Sequence, residues 1–221
     1  MLAARPTALL RSPKQEMNVM YKLYYLPDAC SLASQVVLRE LEQDLELVNI
    51  QNCNDFAALN PVATVPVLLD KNLTLREGAA VIIYLLEKHK SHMLPSEPIA
   101  RSVAIRDIMF ANATMHPAYS RLFFIANTSA TVEAKQEMFD SAAQSITALW
   151  DVVEDQLQGQ AFLGGNNVSA ADIMLTVYSR WAASFPVNIS LGVKTSQMIE
   201  AVLALPSFQQ SLHAEHQQSA A

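Results

Sequence analysis

Cys30 stands where an apolar, aromatic run, YKLYYL (Tyr21 to Leu26), gives way through Pro27 and Asp28 to the helical pattern SLASQVVLREL. A thiol at a helix start faces unsatisfied backbone N–H groups, which favour thiolate and hence nucleophilic or redox chemistry. The same position suits a buried filler, or a thiol lying beside another molecule's sulfur, and residue type alone leaves all three open. Glu77-Gly78 precedes the helical run AAVIIYLLEKHK. Free amides at a helix start bind a carboxylate, glycine admits close approach, and a neighbouring carboxylate can hold an ammonium group. The pair therefore suits the two ends of an α-amino acid, although by itself it is equally an ordinary acidic helix start. Val65-Pro66, in TVPVLL, puts a residue that cannot donate to a ladder at the entry to a strand. An ordinary trans edge proline is the simpler reading; a cis bond leaves the Val65 amide and carbonyl open to an extended peptide. His116 precedes Pro117, which biases its backbone away from helix and marks a kink, where a lone histidine is usually structural.

Other reactive side chains lack company. Cys53 follows the second strand in a polar loop, and the two cysteines match no zinc pattern and cannot form a framework of bridges. His213 and His216 have metal-ligand spacing but no acidic or sulfur neighbours, so no metal is expected. Ser169 and Asp172 form the ends of a capping box, with Val168 and Ile173 placed as its hydrophobic staple; this is a structural signal.

The elements that must position these residues follow from periodicity. YKLYYL and LELVNI read as strands, with a helix between them carrying Leu32, Val36 and Val37 on one face. NDFAALNP reads as a short helix or turn, TVPVLL with LTL as a hairpin, and GAAVIIYLLEKHK as a helix with Glu77 at its start and Lys88, His89 and Lys90 in its last turn. The order is β-α-β-(α)-β-β-α. LPSEPIA, with Pro95 and Pro98, reads as a linker. Helical patterns follow: one from about Ile99 to Ile125 with a kink at Pro117, one ending at Gly159, and one starting at Ser169, before a frayed tail. The expected division is a disordered leader or alternative start at 1–19, a first domain at 20–92, a linker at 93–98 and a helical domain at 99–221.

Bulk composition removes several classes. Of 221 residues, 51% are hydrophobic and 16% charged, which fits a folded chain with a real core. A net charge of −6 without a basic stripe argues against nucleic acid or an anionic membrane as partner. No apolar run reaches the length of a membrane span. Two unframed cysteines point to a reducing compartment, the cytoplasm.

Taken together the chain resembles a cytosolic glutathione S-transferase, most closely the bacterial beta class. KLYYLPDACSLASQVVLRE resembles that class's first strand, cysteine turn and first helix; TVP with REGAAVIIYLLE resembles its glutathione-binding half; TMHPAYSRLF resembles its fourth helix and FLGGNNVSAADIML its capping-box segment. The resemblance implies an α+β two-domain protein, with a thioredoxin-like N-terminal domain and an all-α C-terminal domain, acting in detoxification as a homodimer. It implies glutathione as co-substrate, used against a small electrophile or a disulfide. Val65, before a cis Pro66, is then expected to pair its backbone with the cysteinyl part of glutathione. Glu77 and the Gly78 amide are expected to hold the γ-glutamyl end, and Cys30 and His116, the catalytic candidates, to lie near its sulfur.

Four departures from the family pattern bear on affinity. Asp28 replaces the glycine of the usual cysteine turn and puts a negative charge near the Cys30 thiol, opposing a depressed pKa there; Glu42 stands where a glycine normally ends the first helix, and Ala63 replaces the glycine of the usual KG-x-VP stretch. The stretch before Pro66 is also short and lacks the lysine that helps hold the glycyl carboxylate. Losing one charged hydrogen bond costs about 1.5–3 kcal/mol, roughly ten- to a hundredfold in affinity. A noncatalytic binding protein of the same fold is therefore the alternative to an enzyme.

Overall fold

The structure, a computed structural model, describes residues 20–219; the expectation for residues 1–19 falls outside them. Strand β1 (Tyr21–Tyr25) buries Tyr21, Leu23 and Tyr25 and leaves Lys22 and Tyr24 half-buried, the alternation of a strand with one face on the core. It pairs in parallel with β2 (Leu45–Asn49) and antiparallel with β3 (Val67–Asp70), which pairs antiparallel with β4 (Leu73–Arg76). The resulting order among the described residues is β2-β1-β3-β4. Between the strands run α1 (Ser31–Glu40), a 3-10 turn (Ile50–Asn52) and α2 (Phe56–Leu59), and α3 (Gly78–Lys88) follows β4. This is the expected β-α-β-α-β-β-α order.

Helices complete the chain: α4 (Pro98–Phe110), a π-helical segment (Ala111–Met115), α5 (His116–Ala126), α6 (Val132–Gln156), α7 (Ala170–Ser179), a 3-10 segment (Arg180–Ser184), α8 (Val193–Leu203) and α9 (Pro206–Ser219). Helix α1 is the junction. Every residue from Ser31 to Leu38 is buried, because α1 packs on α3 and β1 on one side and on α7 and α9 on the other. Its buried amide Gln35 donates to Glu215 at 2.6 Å, and Arg39 donates to Ser211 at 3.0 Å, tying it to α9.

Three local expectations are corrected. Pro98 does not belong to an extended linker: it occupies the first turn of α4, where its missing N–H is harmless, and Glu97 caps the helix by accepting from the Ile99 and Ala100 amides. His116 is helical (φ −56°, ψ −50°), and no break occurs at Pro117. The π segment directly before it shifts the hydrogen-bond register, so the chain accommodates a proline without leaving the helix. The tail expected to fray is helical to Ser219, because Ser211 and Glu215 on α9 are buried against α1.

Glu42 resolves a question raised by the sequence. Helix α1 ends in a left-handed turn with Glu42 at φ 54°, closed by hydrogen bonds from the Gln43 amide to Leu38 and the Glu42 amide to Arg39. A side chain in this conformation costs about 1–2 kcal/mol, partly offset by the entropy glycine loses on folding. Glu42→Gly should therefore stabilise the protein by about 0.5–1 kcal/mol, read as a melting temperature about 1–4 °C higher. A lower melting temperature would show that the Glu42 side chain contributes more than its backbone costs.

Candidate active site

The turn after β1 brings Cys30 to the start of α1, where it is the capping residue. Its thiol donates to the Val65 carbonyl at 3.3 Å, so the two chain segments meet at the sulfur. The Val65-Pro66 bond is cis, as the resemblance implied, but the Val65 carbonyl is engaged by Cys30 rather than open. Burial pushes the Cys30 thiol up to about 11, the Cys30 and Ser31 amides hold it down somewhat, and the Glu77 charge raises it further. At neutral pH this thiol is a donor, not a thiolate.

The sequence pointed to Asp28 as the acidic group acting on that thiol. Instead the Asp28 carboxylate pairs with Arg180 at 2.9 Å, its carbonyl accepts from the Trp181 indole at 2.7 Å, and its amide donates to Glu215 at 3.0 Å. Asp28 sits at φ 57°, the left-handed region that the usual glycine would occupy freely. These three contacts fasten the cysteine turn to the helical half of the molecule. Burial raises the Glu215 carboxyl to about 7.

Glu77 also has positive φ (71°), directly before α3, and its side chain is exposed and makes no capping hydrogen bond. A Cβ built on Gly78 would lie 3.7 Å from Asn112 Oδ1 and from Pro66 Cδ, so packing does not demand glycine there. What glycine leaves is room for close approach to the amide at a helix start. His116 projects from α5 with its ring edge-on to Tyr178 (5.0 Å) and Trp181 (5.3 Å), and burial lowers its pKa, keeping the ring neutral at neutral pH.

Two cavities meet at these groups. A cleft of about 310 Å³ is lined by Cys30, Val65, Glu77, Gly78, Asn112 and His116, among others. A more apolar one of about 350 Å³ is lined by Pro27, Cys30, His116, Phe123, Trp181 and others. Cys30 and His116 belong to both. Of the expected site residues, Cys30, His116, Val65, Glu77 and Gly78 thus share one cleft; Pro66 is buried and is not among its lining residues. None of the described residues lining that cleft is cationic. The nearest basic side chain in sequence, Arg76, spends two donors on the Leu59 carbonyl, at 3.0 and 2.7 Å. Ala63 keeps the left-handed backbone (φ 57°) of the glycine it replaces.

Asn112, Tyr178 and Trp181 were not anticipated. Asn112 lies four residues before His116, on the same helical face, and a lone amide in an apolar pattern was its available signal. Tyr178 comes from the far end of α7 and Trp181 from the 3-10 segment that follows it, and nothing local marks them. Among the described residues no cluster of His, Cys, Asp and Glu could hold a metal, and no helix is long and apolar enough to cross a membrane.

Comparison with known proteins agrees with this arrangement. Residues 107–198 match the family model for the glutathione S-transferase C-terminal domain. A curated Xanthomonas campestris protein, glutathione S-transferase GST-4.5, is 32% identical over 88% of this chain and 98% of its own length. A sphingomonad glutathione S-transferase solved in complex with glutathione superposes with a TM-score of 0.76 at 29% identity, covering 88% of this chain and 98% of that one. A bacterial beta-class glutathione S-transferase from Sphingomonas chungbukensis gives 0.76 at 25% identity, covering the same shares. With a relative this similar along nearly its whole length, and with the fold in common, the chain belongs to the glutathione S-transferase family.

Proposed function

We propose that the protein binds glutathione in the 310 Å³ cleft and uses its thiolate against an apolar electrophile held in the 350 Å³ cavity. The observation that carries this reading is that Cys30 and His116 line both spaces, so a sulfur placed between them faces the second cavity. The Glu77 carboxylate takes the α-ammonium of the γ-glutamyl residue, and the free amides at the start of α3 take its α-carboxylate. The Val65 backbone pairs with the cysteinyl residue once the Cys30 thiol turns from the Val65 carbonyl to the incoming sulfur. Because Cys30 stays protonated, its S–H donates to the glutathione thiolate and stabilises it without competing as an anion. The thiolate then attacks the electrophilic carbon: a C–S bond forms, and the displaced electron pair leaves with the leaving group or collects a proton from solvent.

The same reading assigns the protein to detoxification in the cytoplasm, as a homodimer pairing the sheet domain of one chain (20–92) with the helical domain (99–221) of the other. Thiol–disulfide exchange is a slow side activity: the minor Cys30 thiolate fraction, its proton lost to solvent, attacks oxidised glutathione, a Cys30–glutathione S–S bond forms as the glutathione disulfide breaks, and the released glutathione thiolate takes up a proton. A second reading, a noncatalytic binding protein, draws on the cleft's lack of a cationic side chain.

Cys30→Ala separates these roles. Conjugation measured over a panel of electrophiles should fall only partly, by at most the roughly ten- to a hundredfold worth of one hydrogen bond to a charged group, while glutathionylation by oxidised glutathione, read by mass spectrometry, should disappear. Uptake of glutathione on Cys53 would overturn the site. A wild-type protein that binds glutathione but conjugates nothing would establish the noncatalytic reading.

A further inference from the structure

A third cavity, of about 280 Å³, shares no lining residue with the two around Cys30. Its walls come from the segment after α3 (His92, Met93), from α4 (Asp107, Ile108) and from the loop before α7 (Leu163, Gly164). That loop is closely folded: a Cβ on Gly164 would come 2.5 Å from the Asn167 carbonyl oxygen, so the wall it makes is preformed. Most of the lining is apolar. The acidic group in it is Asp107, only 5% exposed.

The Asp107 carboxylate is half satisfied. Arg106 reaches it with Nε at 2.8 Å and Nη2 at 2.7 Å, and both contacts fall on Oδ1. Among the described residues Oδ2 accepts no hydrogen bond. The Arg106 side chain is 60% exposed, so water screens much of its charge. Burial raises the Asp107 carboxyl despite this partner. A carboxylate shielded on most sides, with one oxygen free of protein donors and still reached by solvent, is a ready acceptor for a cation brought into the cavity.

We propose that this cavity binds a small organic cation, an apolar body the size of a hexyl chain carrying one primary ammonium that donates to Asp107 Oδ2. The volume sits just under the roughly 300–1,000 Å³ of drug-sized ligand sites, which favours a ligand of this size over a larger one. Apolar walls take the chain, and the carboxylate supplies orientation and selects charge.

Calorimetric titration of the full protein with n-hexylammonium chloride, against n-hexanol as the neutral counterpart, tests this. Hexylammonium should bind, with hexanol at least about tenfold weaker, because only the cation satisfies the carboxylate. Asp107→Asn should cost the amine about tenfold or more, with a cooperative circular-dichroism melt showing that the variant is folded. Arg106→Gln removes the competing cation and should tighten hexylammonium severalfold, a gain that loss of structure cannot mimic. If Asp107→Asn fails to fold, the alcohol comparison and Arg106→Gln decide the matter. Equal binding of alcohol and amine, no binding of the amine at millimolar concentration, or weaker binding after Arg106→Gln would each overturn the proposal.

Discussion

Glu77→Ala is expected to weaken glutathione binding about ten- to a hundredfold while leaving the protein folded. The γ-glutamyl end carries an ammonium and a carboxylate, and the cleft offers one group of suitable charge for the former, the exposed Glu77 carboxylate. A charge-assisted hydrogen bond is worth about 1.5–3 kcal/mol, which sets that range. The effect is large because the cleft has no lining cation to anchor the other end of the tripeptide, so the grip at Glu77 and Gly78 has no electrostatic substitute. The fold should survive, since the Glu77 side chain makes no capping hydrogen bond and the positive φ at this position burdens alanine as it burdens glutamate. A second effect has a definite sign: the Glu77 charge raises the Cys30 pKa, so its removal should lower the pH at which that thiol becomes reactive towards alkylating reagents. Titration calorimetry with glutathione measures the first effect, and unchanged affinity would reduce Glu77 to an acidic helix start.

The placement of Glu77 and Gly78 at a helix start was legible because an acidic residue and a glycine ahead of an apolar helical run carry a local rule. So were β1, α1 and α3, whose periodicity is strong and whose flanks are punctuated by Pro27, Gly78 and Lys88. What escaped depends on packing between distant segments. Nothing near Asp28 in sequence announces that Arg180, Trp181 and Glu215 will occupy its polar atoms, so its charge was assigned to the neighbouring thiol. The kink expected at His116 was misjudged for a related reason: the clash with a following proline disfavours a helical backbone without forbidding it, and the five π-helical residues before His116 let the chain stay helical through Pro117. Tyr178 reaches the cleft, and Trp181 the cavity beside it, through the packing of α7 against α1, a property of the folded core.

That same helix carries the largest expected loss of stability. Asp172→Ala should destabilise the protein by about 2–5 kcal/mol and lower its melting temperature by roughly 5–15 °C. Asp172 is fully buried. One carboxylate oxygen accepts from the Ser169 amide at 2.8 Å and the Ser169 hydroxyl at 2.7 Å, and the other accepts from the Leu163 amide at 3.0 Å. Alanine leaves the buried Ser169 amide and the half-buried Leu163 amide without acceptors, a buried one costing about 1–3 kcal/mol, and opens a void where the carboxylate stood. Ser169→Ala is the milder control: it removes a cap worth about 0.5–2 kcal/mol and leaves Asp172 to hold both amides. The loss should also reach the site, because α7 positions Tyr178 against the His116 ring and leads directly into Trp181. Thermal melts of the two variants, with glutathione conjugation measured below both transitions, check the ordering. Should Asp172→Ala melt within 2 °C of the wild type, the capping box would be a feature of the local helix start and not the clamp that fixes α7 in the core.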